Sequence, residues 1–158
     1  SGSATVSVQS GGTLAPGASP GILTVNGGVT IASGGTFAYE FTGGSGGAAT
    51  ELLDVNGTLD ITGATLSLAN LGTYQAGDKF TLAAYNTLAG TFSGFVDDTN
   101  YTFGGGSWLL NYNDTTAGLN GGSGTSYITI TAVPESSAAA LGLIGVCTLL
   151  IRRRKTIR

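Results

Sequence analysis

Apolar residues recur at every second position through short runs along most of the chain. Thr36-Phe-Ala-Tyr-Glu-Phe41 puts Phe37, Tyr39 and Phe41 on one face, the period of two that an extended strand requires. Val6 and Val8 alternate in the same way, more weakly, and look like the last strand of something upstream. Ile22–Val25, Val29–Ile31, Leu52–Val55, Leu59–Ile61 and Thr65–Leu68 are further short runs bounded by Gly, Asn or Ser. Phe80–Tyr85, Leu88–Phe92, Trp108–Tyr112 and Tyr127–Val133 complete the set, rich in the aromatic and β-branched residues that suit a pleated surface. Between the runs lie turn-forming stretches: Gly11 to Gly21 with Pro16 and Pro20, the linker Thr42 to Ala49, and the turn Tyr74 to Asp78. No stretch before Val133 shows an apolar period of 3.6, so the pattern predicts an all-β region with any helix confined to the residues after Val133.

Two segments repeat each other. Val25-Asn26-Gly27 and Val55-Asn56-Gly57 stand 30 residues apart, Val29-Thr-Ile31 matches Leu59-Asp-Ile61, and with one deletion Thr36–Tyr39 matches Thr65–Leu68. Each copy reads strand, Asn-Gly turn, short strand, Gly turn, strand. Repeats of this length point to stacked architectures in which each unit buries its apolar face on the next. The Asn-Gly pair supplies a positive φ at low cost, and it is also a strong short-range hairpin signal. A stacked solenoid and an antiparallel β-sandwich are therefore both open. From Asp78 the pattern departs from the repeat and aromatic residues gather: Tyr101, Phe103, Trp108, Tyr112 and Tyr127. Residues 1–77 are expected to form solenoid repeats and residues 78–133 a C-terminal β cap that closes the open end of the core.

The last segment, residues 134–158, has a different pattern. Pro134-Glu135 is followed by a run without charge from Ser136 to Ile151, and then by Arg152, Arg153, Arg154 and Lys155. Those 16 residues, as a helix rising about 1.5 Å per residue, span roughly 24 Å, short of the roughly 30 Å hydrocarbon core. Flanking arginines make up part of the difference by reaching the headgroups. A single C-terminal transmembrane helix is predicted, with the basic cluster held on the cytoplasmic side as a membrane stop and everything before Val133 outside. Cys147 in this run is a small apolar filler.

Composition sharpens the division. The chain carries 9 acids and 6 bases in 158 residues, and five of the bases lie in the tail. Lys79 is the one base ahead of Val133, so the outer part is acidic and lacks the clustered Lys or Arg that nucleic-acid binding needs. A lone Cys leaves no disulfide to form within the chain. The chain has no Met and opens in mid-pattern at Ser1, so it is expected to be the C-terminal piece of a longer protein whose export signal lies upstream.

Two resemblances rest on these residues. Gly12 to Gly27, together with Ala89-Gly-Thr-Phe-Ser-Gly94, resembles the autotransporter-associated β-strand repeats of bacterial surface proteins, over roughly residues 11 to 95. It implies a right-handed parallel β-solenoid of the passenger type. Pro134-Glu135, the apolar run and the Arg cluster resemble the PEP-CTERM sorting signal, with Ser136 where the usual motif has a second proline. This second resemblance implies export, recognition at Pro134-Glu135 by an exosortase-type membrane peptidase, cleavage, and release or attachment at the cell surface. A plain C-terminal membrane anchor is the competing reading.

Candidate chemistry is sparse. Glycoside hydrolysis needs two carboxylates facing one cleft, and the candidates are Asp54, Asp60, Asp97, Asp98 and Asp114. There is no His, and no Arg before Arg152. Neither a catalytic site nor a cofactor is expected. Asp97-Asp98 lies in a loop that could contribute oxygens to Ca²⁺, but the six or more ligands that ion wants are not apparent, and no metal site is expected. The aromatic group reads either as a buried core or as a platform for sugar rings. The expected function is an exported structural or adhesive protein of the cell surface or extracellular matrix, with extracellular polysaccharide as a partner. The alternative is the C-terminal spacer of an exported carbohydrate-active enzyme.

Overall fold

The structure, a computed structural model, describes residues 4–17, 21–41, 51–70 and 72–134. These residues are all-β. The strands are β1 (Val6–Val8), β2 (Thr13–Leu14), β3 (Ile22–Val25), β4 (Val29–Ile31), β5 (Thr36–Phe41), β6 (Leu52–Val55) and β7 (Thr58–Asp60). They continue with β8 (Thr65–Asn70), β9 (Lys79–Tyr85), β10 (Thr87–Ala89), β11 (Thr99–Phe103), β12 (Gly106–Asp114) and β13 (Ser126–Val133). Among the described residues they form three sheets, with orders β1-β4-β7-β10, β2-β5-β8 and β11-β12-β13-β9-β6-β3.

From β1 to β10, consecutive strands lie in different sheets. The chain passes from β3 to β4 to β5 across the three sheets, then repeats the circuit through β6, β7 and β8 and begins it again at β9 and β10. Each strand pairs in parallel with its counterpart in the next circuit: Leu23 with Leu53, Val29 with Leu59, Phe37 with Leu66. A parallel pair needs a long crossover, and here the rest of the circuit provides it.

The Asn-Gly pairs are corners, not hairpins. Asn26-Gly27 joins β3 to β4, and these strands do not pair with each other. Nor do Gly27 and Gly57 take up positive φ, which appears instead at the following corner, at Gly34, Gly63 and Gly90. Gly57 is required by closeness: a Cβ there would lie 2.5 Å from the Gly27 carbonyl oxygen. The asparagines stack along this corner. Asn56 Nδ2 donates to Asn26 Oδ1 at 2.9 Å and Asn86 Nδ2 donates to the Asn56 carbonyl at 3.1 Å, with a spacing of 30 residues at both steps. Parallel pairing thus runs on through Lys79–Ala89, inside the segment expected to be cap.

The core lies between the sheets. Phe37, Tyr39, Phe41, Leu59, Ile61 and Phe80 are fully buried, each contributing about 1.5–3 kcal/mol of apolar transfer. Phe92 stacks on Phe37 at 5.9 Å. At the far end β13 adds to β9 in antiparallel fashion, followed by β12 and β11. This antiparallel extension puts Trp108, with no exposed surface, against Phe41 at 5.0 Å and Tyr74 at 4.4 Å. The outer face of β6 and β9 is covered as well, which is why all four residues of β6 are buried. Asn120 accepts from Thr81 N–H and donates to the carbonyls of Glu51 and Thr81, and Ser123 binds Asp54, so residues 115–125 strap the sheet.

Pro134 is exposed directly after β13. Glu135, Arg152, Arg153, Arg154, Lys155 and the expected transmembrane helix lie outside the described residues. No helix among the described residues is long and apolar enough to cross a membrane.

Candidate functional site

The five candidate carboxylates serve different parts of the framework. Asp54, on β6, accepts from Ser123 N–H at 3.0 Å and Ser123 Oγ at 2.7 Å beneath the strap. Asp60 ends β7 and closes a turn through Thr62; the Thr62 hydroxyl and then its N–H hold this carboxyl below its ordinary range. Asp97 and Asp98 come together at β12. Asp97 accepts from Tyr112 N–H at 2.7 Å and Asn111 Nδ2 donates to Asp98 at 2.7 Å. Asp98 has a φ of 50°, the left-handed conformation that Asp tolerates better than most side chains. Asp114 accepts from Lys79 Nζ at 2.8 Å, from Thr129 Oγ1 at 2.9 Å and from Thr116 N–H at 2.9 Å. Burial opposes its charge, but these donors outweigh burial and keep its pKa below the usual value.

Each carboxylate therefore already accepts protein donors. Their partners lie in turns, on β9, β12 and β13, and in the strap. Among the described residues no group of three or more His, Cys, Asp or Glu is placed to hold a metal ion.

The aromatic residues divide. Trp108 and Tyr112 are core. Trp108 Nε1 donates to the Phe103 carbonyl at 3.2 Å. Tyr112 Oη accepts from Phe92 N–H at 3.0 Å, and burial pushes its pKa up to about 12. Tyr85 Oη donates to the Tyr112 carbonyl, so the buried hydroxyls have partners. Tyr127 is half-buried on β13. Tyr101 and Phe103 are half-buried too, but they line a groove of about 150 Å³ together with Leu66, Leu68, Phe95 and Thr102. Phe95 and Tyr101 pack at 4.7 Å along it with their rings tilted by 48°, and Tyr101 Oη accepts from Val96 N–H at 2.5 Å.

No family model, curated protein or solved structure matches this chain. The functional reading rests on geometry and on the sequence of the tail.

Residue-type reasoning passed over the groove, because Leu66 and Leu68 belong to a repeat and Phe95 to the stretch after it. The third rung of the asparagine ladder was discoverable: Asn86 follows Asn56 by the same 30 residues. Its neighbour is Thr87 in place of Gly, which hid the match. Asn120, the centre of the strap, had no signal beyond its turn-rich surroundings.

Proposed function

We propose that this chain is the C-terminal part of an exported bacterial surface or matrix protein with a structural or adhesive role. In this reading the three-sheet circuit is a right-handed parallel β-solenoid of the passenger type, closed by an antiparallel cap and followed by a PEP-CTERM-type sorting tail. The observation that carries it is the parallel register of about thirty residues, shared by all three sheets. A unit that pairs in register with the next copy of itself extends into a rod by repetition alone. Such a rod suits a stalk or matrix element, and its acidic, Gly- and Thr-rich surface suits contact with hydrated extracellular polysaccharide.

The tail supplies delivery. The apolar run gives a weak hold on the bilayer, and Arg152, Arg153, Arg154 and Lys155 resist translocation at its cytoplasmic end. This keeps Pro134-Glu135 near the outer boundary of the membrane, within reach of an exosortase-type peptidase. Glu135 stays at that boundary because burying its charge is expensive. The strands end at Val133 and Pro134 is exposed, which supports recognition beginning at that residue.

The test is fractionation of an exosortase-bearing bacterial host, with mass spectrometry of the C-terminus. Replacing Pro134 and Glu135 by Ala leaves export intact but leaves uncleaved chain in the membrane. Replacing the four basic residues by Gln loosens retention and lets intact chain escape. Shortening and release of the Pro134/Glu135 variant to the wild-type extent would refute sorting.

A further inference from the structure

The circuit is incomplete in one sheet. The turn that begins at β9 supplies a strand to the first sheet as β10, but none to the sheet β2-β5-β8. Ser93 N–H donates to the Ala64 carbonyl at 2.7 Å, as Thr65 N–H does to Gly35 one turn earlier at 2.8 Å. The chain then turns away at Ser93-Gly94 and at Asp97-Asp98 and returns as β11. Among the described residues β8 is left as an edge strand, with the groove beside it.

The inward column shows what is missing. Leu14, Phe37 and Leu66 stand in register, and so do Tyr39 and Leu68. Tyr39 has no exposed surface, whereas Leu68, one turn further, is only half-buried. The groove over Leu66 and Leu68 has Phe95, Tyr101 and Phe103 as its other wall. It lies where a further strand would place its inward side chains.

We propose that this groove binds an extended peptide strand with alternate apolar side chains, added in parallel to the free edge of β8. The edge offers a row of backbone donors and acceptors, which gives affinity for any extended chain. The apolar walls select peptides with a large side chain at every second position, the pattern that β5 presents to the opposite edge of β8 in this protein. A strand is favoured over a sugar because the site combines an unpaired sheet edge with an apolar slot. Sugar platforms need broad exposed rings, and here Phe95 and Tyr101 are half-buried and pack against each other with their rings tilted by 48°. Occupancy of the groove is independent of how the tail is handled.

The test uses the full chain in a nonionic detergent and a fluorescein-labelled hexapeptide of the β5 sequence, Thr-Phe-Ala-Tyr-Glu-Phe. Saturable binding is expected, with hydrogen exchange slowed about tenfold at amides of β8 and not at the amides of β1. Replacing the central Ala of the peptide by Pro removes a backbone donor at similar hydrophobicity, and weakens binding by about tenfold or more. Leu68→Lys does the same from the protein side, with unchanged far-ultraviolet circular dichroism as the check on folding. If that variant fails to fold, Phe95→Ala, on the opposite wall, is the substitute. Equal binding of the Pro peptide, protection away from β8, or no binding up to millimolar peptide overturns the proposal. Binding of a soluble glucan in the groove without peptide binding also overturns it and reassigns the site to carbohydrate.

Discussion

The circuit from β1 to β10 and the extension from β11 to β13 solve the same problem in opposite ways. In the circuit, strands that follow one another never pair, and each waits 23 to 30 residues for its partner. In the extension, β11 pairs with β12 across a tight turn and β12 with β13 across the strap, both antiparallel. The circuit relies on a narrow corner where backbones nearly touch, so small residues recur there. The extension relies on large rings packed around Trp108. A repeat must match the copy beside it and cannot vary freely, whereas a terminus meets its neighbour once and can use any side chain that fills the space.

The largest expected effect tests whether the two regions are one cooperative unit. Trp108 touches Phe41 and Phe80 of the circuit and Phe103 of the extension, at 5.0, 5.9 and 5.1 Å. Trp108→Ala should cost about 3–5 kcal/mol, seen as a lower urea midpoint by circular dichroism. If the amides of β4 and β5 keep wild-type exchange protection while those of β12 lose it, the two regions unfold separately and the shared core is a weak seam.

That junction also marks where sequence stopped being informative. The strands of the circuit were legible because Phe37, Tyr39 and Phe41 alternate and because Val25-Asn26-Gly27 recurs at Val55-Asn56-Gly57. The sheet to which each strand belongs was not. Asn-Gly fits a hairpin and a corner equally well, and only the pairing of β3 with β6 in place of β4 decides. The expectation of positive φ at Gly27 and Gly57 failed because chain stacking can demand glycine as firmly as φ can. In the site, Asp54, Asp60, Asp97, Asp98 and Asp114 were the natural suspects, since type was all that sequence offered. Their partners range from Thr62, 2 residues after Asp60, to Ser123, 69 residues after Asp54.

Glycine substitutions sharpen the contrast. In Gly57→Ala the new Cβ meets Gly27 backbone, oxygen at 2.5 Å and carbon at 2.8 Å, and backbone cannot rotate aside. A loss of about 1–3 kcal/mol is expected. Gly105, between β11 and β12, has a φ of 77°, and a Cβ there would meet nothing within 4 Å. Its Ala variant should lose about 1 kcal/mol through backbone strain alone. Asn tolerates that conformation, so Gly105→Asn should recover part of the loss while Gly57→Asn recovers none. Thermal midpoints of the four variants decide; recovery at Gly57 would mean that strain, not stacking, rules there too.

Next in size is the strap. Asn120→Ala leaves Thr81 N–H and the Glu51 carbonyl without their side-chain partner, while the Thr81 carbonyl keeps the Tyr39 hydroxyl. A loss of about 1–3 kcal/mol is expected where those groups stay dry, and less where water enters. Asn56→Ala, at an exposed rung of the ladder, should cost about 0.5–1 kcal/mol. Denaturant titration of both variants checks the order. A larger loss at Asn56 would make the ladder, and not the strap, the main polar support of the circuit.

The smallest effects are in pH dependence, and one carboxylate from each region, Glu51 and Asp114, should respond with opposite sign. Burial raises the pKa of Glu51 above 4.5, the charge of Glu40 adds to this, and the Glu40 N–H works the other way. The folded chain then holds a proton that the unfolded chain has released, so stability falls as pH rises from 4.5 through the raised value. Asp114, which ties β12 to Lys79 of β9, is the reverse. Its folded value lies below 3.8, so its contribution is complete above 3.8 and fades as pH falls through the folded value. Glu51→Gln should therefore raise the urea midpoint at about pH 7 and leave it unchanged at about pH 3. Asp114→Asn should lower it at about pH 7, by about 1 kcal/mol or less, and lose that effect in acid. If Glu51→Gln instead lowers the midpoint at neutral pH, the ionised Glu51 carboxylate is a necessary acceptor for Glu40 N–H. Glu40 of β5 is then held to Glu51 by charge, as Lys79–Asp114 holds β9 to β12, and the contrast between the two regions is confined to their backbones.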